Sequence, residues 1–97
     1  MKISIVAAAE NELIEAAGFY TQQAGTELGL AFIAEFERAI ALLRSQPALG
    51  APWRVAYRRM PMRRFPYSGV YALFLDEVRV LAVAHQRRRP GYWHGRH

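Results

Sequence analysis

Cysteine is absent from this 97-residue chain. That excludes a disulfide framework, a thiolate nucleophile and any zinc site built on cysteine. It also suits a reducing compartment. Lysine is nearly absent: Lys2 stands alone, and the other twelve basic residues are arginines. Acidic residues are confined, with none between Glu37 and Asp76. No apolar run approaches the roughly 20 residues that a membrane-spanning helix needs. The start, Met-Lys-Ile-Ser-Ile-Val, meets Glu10 and Glu12 too soon for a secretory signal. A soluble, cytoplasmic protein is expected. No P-loop, dinucleotide-binding glycine pattern or Ser–His–Asp set occurs. His94 and His97 lack a third ligand at useful spacing, so no metal and no cofactor is expected. Repeats, low-complexity tracts and dividing linkers are missing too, which leaves one domain over residues 1–97.

What is there reads as globular: 53% of residues are hydrophobic and 22% charged, too apolar for a disordered chain. Charge is segregated along the chain. Residues 1–37 hold one lysine against six glutamates, a net of −5; residues 38–97 hold twelve arginines against Asp76 and Glu77, a net of +10. Such a molecule is dipolar, with one strongly basic face. Arginine binds phosphate and carboxylate bidentately and stacks on planar groups. Nucleic acid or an acidic protein is therefore the natural partner.

Ile3, Ile5 and Val6 mark a first strand. From about Ala8 to Ala24, Leu13, Ala17, Tyr20 and Ala24 recur at helical steps, with glutamates in the first turn. Gly25 stops this helix, and Thr26 is expected to cap the next. The second helix carries Leu28, Phe32, Phe36, Ala39 and Leu43 on one stripe and ends before Pro47. A link this short predicts an antiparallel helix hairpin. After a Pro/Gly loop, three strands are expected: Tyr57–Phe65, interrupted by Pro61, then Tyr67–Leu75 and Val78–His85. A two-residue turn at Asp76-Glu77 would set Leu75 against Val78, Leu73 against Val80, Tyr71 against Ala82 and Ser68 against His85. One sheet face would then hold Tyr67, Tyr71, Leu73, Val80 and Ala82. The other would hold Val70, Phe74, Leu81 and Val83. The helices can cover only one face, so the other falls to the tail, through Tyr92 and Trp93, or to a partner protein. The expected fold is an α+β two-layer sandwich, ordered β-α-α-β-β-β, with the helix hairpin on a mainly antiparallel sheet.

The chemistry concentrates near the end of the last strand. His85 can act as a general base, Arg63 and Arg64 can stabilise a developing phosphate charge, and Tyr92 can supply a proton or stack on a base. Metal-independent cleavage of RNA through its 2′-hydroxyl needs such a set. Arg58 and Arg59, with the Arg87-Arg88-Arg89 run, fit contact with a polyanion or target. These residues alone leave open a nuclease site, a binding surface and a solvated sheet edge.

Leu49-Gly50, then Arg63-Arg64-Phe65-Pro66-Tyr67 leading to Val70-Tyr71, then Val80–His85 with Arg87-Arg88-Arg89-Pro90-Gly91-Tyr92-Trp93, resemble the RelE/ParE superfamily of toxins from bacterial type II toxin–antitoxin modules. The resemblance spans nearly the whole chain. It implies a growth inhibitor of the plasmid-stabilisation type, neutralised by a cognate antitoxin. That antitoxin would cover apolar helix and sheet surface, here Leu13, Ala17, Tyr20, Phe32, Phe36 and Tyr71, and would supply any operator-DNA contact. RelE-like members cleave mRNA on the ribosome; ParE-like members poison DNA gyrase. Arg64 and His85 resemble residues of some RelE-like nucleases. The chain lacks the glutamate and the lysine cluster found in that group, and its short tail is ParE-like. Gyrase inhibition is the expected activity. Ribosome-dependent mRNA cleavage and a non-toxic interaction module on the same fold are the alternatives.

Overall fold

The computed structural model describes residues 1–96. Strand β1 (Lys2–Ile5) leads through Val6 into helix α1 (Ala7–Ala24). Gly25, at φ 99°, ends α1 and opens α2 (Thr26–Ser45). Its N–H donates to the Thr21 carbonyl at 2.8 Å, and its own carbonyl accepts from Leu28. Glycine takes such a φ without a steric penalty. Thr26 lies inside α2, and no side chain caps that helix. The expected Thr26 cap is therefore wrong, because Gly25 takes the capping position. The helices cross closely at Gly29, where an added Cβ would overlap Thr21 Oγ1 and lie 2.8 Å from the Ala17 carbonyl.

Four strands follow, one more than expected: β2 (Ala51–Trp53), β3 (Tyr57–Pro61), β4 (Tyr67–Leu73) and β5 (Glu77–His85). The added strand, β2, is only three residues long and carries Pro52 at the sheet edge. A strand that short has no readable alternation. The sheet runs β1-β5-β4-β3-β2, parallel only between β1 and β5. Pairing with β2 reaches only to Arg59, so β3 has an open edge at Pro61, where a missing N–H is harmless.

The hairpin register differs from the expected one. Leu73 pairs with Val78, Tyr71 with Val80, Val70 with Ala82 and Tyr67 with His85. Phe74 N–H donates to the Glu77 carbonyl, so the turn residues are Leu75 and Asp76. Glu77 is drawn into the strand because Lys2 pairs beside it, and its carboxylate accepts from Ser4 and Arg79. A bulge then leaves Leu81 without a partner. A bulge reverses which side later residues face. Val83 consequently joins Val80 and Tyr67 under the helices, while Ala82 joins Val70 and Leu81 on the other side.

The helix-side core gathers Ala9, Ala16, Phe32 and Phe36 against Met62, Phe65, Val80 and Val83. Tyr20, Phe32, Phe65 and Tyr67 interlock there, with edge-on contacts at ring separations of 5.0–5.1 Å from Phe65 and Tyr67. Such pairs are worth about 0.5–1.5 kcal/mol each beyond their buried area. The opposite face is covered by the tail, as one expectation had it: Trp93, 1% exposed, packs with Val70, Leu81, Ala82 and Ala84.

Glu12 ties these parts together. Beyond Ile5 the chain leaves β1 for α1, so Val83 N–H finds no strand there. It donates to Glu12 Oε1 at 3.1 Å instead. Arg96 from the tail donates to the same oxygen at 2.9 Å and to the Leu81 carbonyl at 3.0 Å. No helix is long and apolar enough to cross a membrane among the described residues.

Candidate functional site

His85 closes β5 opposite Tyr67 rather than Ser68, with the rings edge-on at 5.1 Å. In the turn that follows, the Arg87 N–H donates to His85 Nδ1 at 3.0 Å. Nδ1 is then an acceptor and the ring proton sits on Nε2. His85 shares a cavity of about 220 Å³ with Glu12, Glu15, Phe19, Arg88 and Tyr92. The Arg88 guanidinium lies 4.0 Å from the centre of the Tyr92 ring, and that of Arg96 lies 5.0 Å away. The Tyr92 hydroxyl is buried and makes no hydrogen bond of ordinary geometry among the described residues. Burial pushes its pKa well above the usual phenol range, and the neighbouring Glu12 carboxylate adds to the rise. Such a hydroxyl is a poor proton donor.

Arg63 and Arg64 are not in the wall of that cavity. They belong to the loop between β3 and β4. The backbone N–H of Arg63 donates to the Glu35 carboxylate on α2. Arg38 and then this N–H hold the Glu35 carboxyl below the usual range against the opposing effect of burial. Arg64, at φ 71°, lays its guanidinium 5.5 Å from the Phe65 ring centre. The cavity thus brings His85, Tyr92 and Arg88 together, and Arg63 and Arg64 do not line it.

The other expected residues divide by exposure. Arg87, Arg88 and Arg89 are exposed on the turn after β5, and Arg59 is exposed above Trp53 at 4.8 Å. Arg58 is occupied: it donates to the carbonyls of Ala48 and Gly50 at 3.1 and 2.8 Å. It braces the loop after α2. Phe32, Phe36 and Tyr71 are core residues, at 0, 4 and 0% exposure, and do not form open surface. Stripe periodicity marks the face of a helix but does not say which neighbour covers it. Leu13, Ala17 and Tyr20 are half-buried, beside exposed Ile14 and Phe19.

Sequence reasoning missed a cavity of about 620 Å³ on the tail side of the sheet. Arg54, Arg58, Arg79 and Arg96 line it with Tyr57 and His94, and no carboxylate does among the described residues. The Tyr57 hydroxyl and His94 Nδ1 are 3.2 Å apart. Its residues come from four separated segments, so no local pattern announces it. No cluster able to hold a metal ion occurs among the described residues, and His97 lies outside them.

The family model described as the ParE toxin of the type II toxin–antitoxin system, parDE, matches residues 3–90. The chain belongs to the ParE toxin family. It is therefore a ParE-type toxin of a toxin–antitoxin system, which implies an antitoxin partner. Its fold is similar to that of a solved chain from the chromosomal ParDE system of P. aeruginosa, with a TM-score of 0.77 and 19% identity. That similarity covers 88% of this chain and 95% of the other. At such identity the shared property is the fold. No curated protein matches the chain. Several residues that carry the ParE resemblance are core or support residues. Phe65 and Tyr67 sit under the helices, and Gly50 N–H donates to the Tyr71 hydroxyl at 2.9 Å.

Proposed function

We propose that this ParE-family toxin arrests growth by inhibiting DNA gyrase and is neutralised when its antitoxin covers apolar helix surface around Leu13, Ala17 and Tyr20. The observation that carries the gyrase reading is the incomplete nuclease set. His85 and Tyr92 share a cavity without Arg63 or Arg64, and Tyr92 is held protonated. Exposed arginines at 59 and 87–89 remain for target contact. Any operator binding would go through the antitoxin.

Induced expression of the chain alone tests this. The expected result is growth arrest with DNA breaks, intact translated mRNA, and loss of gyrase supercoiling with purified protein. His85→Ala should leave growth arrest within about twofold of wild type, because gyrase inhibition uses no general base. Cleaved mRNA with unaffected gyrase would establish the ribosome-dependent nuclease instead. Harmless expression would establish a non-toxic interaction module.

A further inference from the structure

A separate, smaller cavity lies on the sheet face away from the helices. It measures about 60 Å³ and is lined by Trp53, Arg59, Ser68, His85, Arg88 and Trp93, among others. Ordinary small-molecule pockets run to roughly 300–1,000 Å³. This one has room for a single functional group.

Its polar side chains offer mainly hydrogen-bond donors, with the Gln86 amide able to donate or accept. Trp93 is 1% exposed, and its indole N–H is buried without a partner among the described residues. An indole nitrogen only donates. Leaving it unpaired in a folded protein costs stability, so an unpaired buried donor calls for an explanation. Ser68, 5% exposed, is the one buried polar residue among those described. His85, with Nδ1 already accepting from the Arg87 N–H, has only Nε2–H to offer. Arg59 and Arg88 supply positive charge. Each is steadied by a ring, Arg59 on Trp53 at 4.8 Å and Arg88 on Tyr92 at 4.0 Å. Neither has a carboxylate partner among the described residues; the ion pairs there use Arg38, Arg79 and Arg96. No acidic side chain lines the cavity.

We infer that this cavity is a subsite for one phosphate group, held by the Ser68 hydroxyl and the Arg59 and Arg88 guanidiniums beside the buried Trp93 ring. Phosphate fits better than carboxylate because its oxygens can accept from donors on several sides, whereas a carboxylate offers two oxygens in one plane. The inference goes beyond the gyrase reading and does not depend on it, since its test measures binding and not toxicity.

The chain's two tryptophans, Trp53 and Trp93, both line the cavity, so their fluorescence reports occupancy. Inorganic phosphate is titrated into the purified protein at constant ionic strength, with chloride as the balancing anion. A saturable fluorescence change is expected, with a matching shift of the Trp93 indole N–H resonance. Arg59→Gln and Arg88→Gln, both at exposed positions, should each weaken binding at least about tenfold, the loss expected when a charge-assisted hydrogen bond is removed. Ser68→Ala should weaken it less. Arg44→Gln, on α2, should leave it unchanged. A 5′-phosphorylated trinucleotide separates the sources. Tighter binding than inorganic phosphate assigns the subsite to a polynucleotide end, and weaker binding assigns it to free phosphate. A change that does not saturate, equal saturation by acetate, or unchanged binding in both arginine variants overturns the assignment.

Discussion

Single residues set the local geometry that the ParE fold depends on. Gly50 is one. An added Cβ would lie 2.6 Å from the Tyr71 hydroxyl, which also donates to the Pro47 carbonyl at 2.7 Å. Gly50→Ala should therefore destabilise the protein by about 1–3 kcal/mol, the usual cost of overpacking, as read from chemical denaturation. An unchanged midpoint would show that the loop can shift aside. Tyr71 also links stability to pH. Burial raises its pKa, so the unfolded chain ionises first and the stability is present below about pH 10 and lost as pH climbs above it. Buried Tyr92 acts in the same direction. Glu35 acts oppositely. Arg38 lowers its pKa, so its contribution is present above about pH 4.3 and is lost as pH falls through the folded value. Thermal unfolding should show a plateau between these limits. Glu35→Gln should flatten the acid limb alone.

At the scale of elements, the tail from Tyr92 to Arg96 closes the sheet face that the helices leave open. Trp93 fills it, and Arg96 anchors it through Glu12. Trp93→Ala should cost about 3–5 kcal/mol, as large buried aromatics do, measured by denaturant unfolding. Glu12→Gln keeps an acceptor for Val83 N–H but removes the charge that Arg96 meets. It should loosen the tail while leaving the helix hairpin protected in hydrogen exchange. Uniform loss of protection would instead mean that tail and helices unfold together. The helix hairpin was readable because Gly25 is a strong stop and the stripes keep a helical period. The sheet register was not. A turn of Asp76-Glu77 and one of Leu75-Asp76 differ by one residue in a run with no Asn-Gly signal. Pairing across from Lys2 decides between them.

The whole molecule is a dipole, acidic through its first helices and basic over its sheet and tail. Association with an oppositely charged partner should be steered by that field. The on-rate for a partner that meets the basic sheet face should fall by about tenfold or more from low to high salt, with the off-rate much less affected. Stopped-flow mixing at several ionic strengths measures this, and a flat on-rate would remove electrostatic steering from the account. At this scale the arginines separate by what surrounds them. Arg38, Arg58, Arg79 and Arg96 are held by carboxylates or carbonyls, whereas Arg59 and Arg87 to Arg89 are exposed.

The sequence by itself determined the helix hairpin, the α+β order, the segregated charge and the toxin family. All of these rest on local periodicity or on short motifs that stay contiguous in the chain. The tertiary structure decided which strand residues face the helices, because the bulge at Leu81 exchanges Ala82 and Val83 between faces. It decided that Phe32, Phe36 and Tyr71 are core and that Arg58 is a brace. It also left Arg63 and Arg64 out of the wall of the cavity that His85 and Tyr92 share. Contacts of this kind join residues tens of positions apart, and they exist only once a register has been chosen.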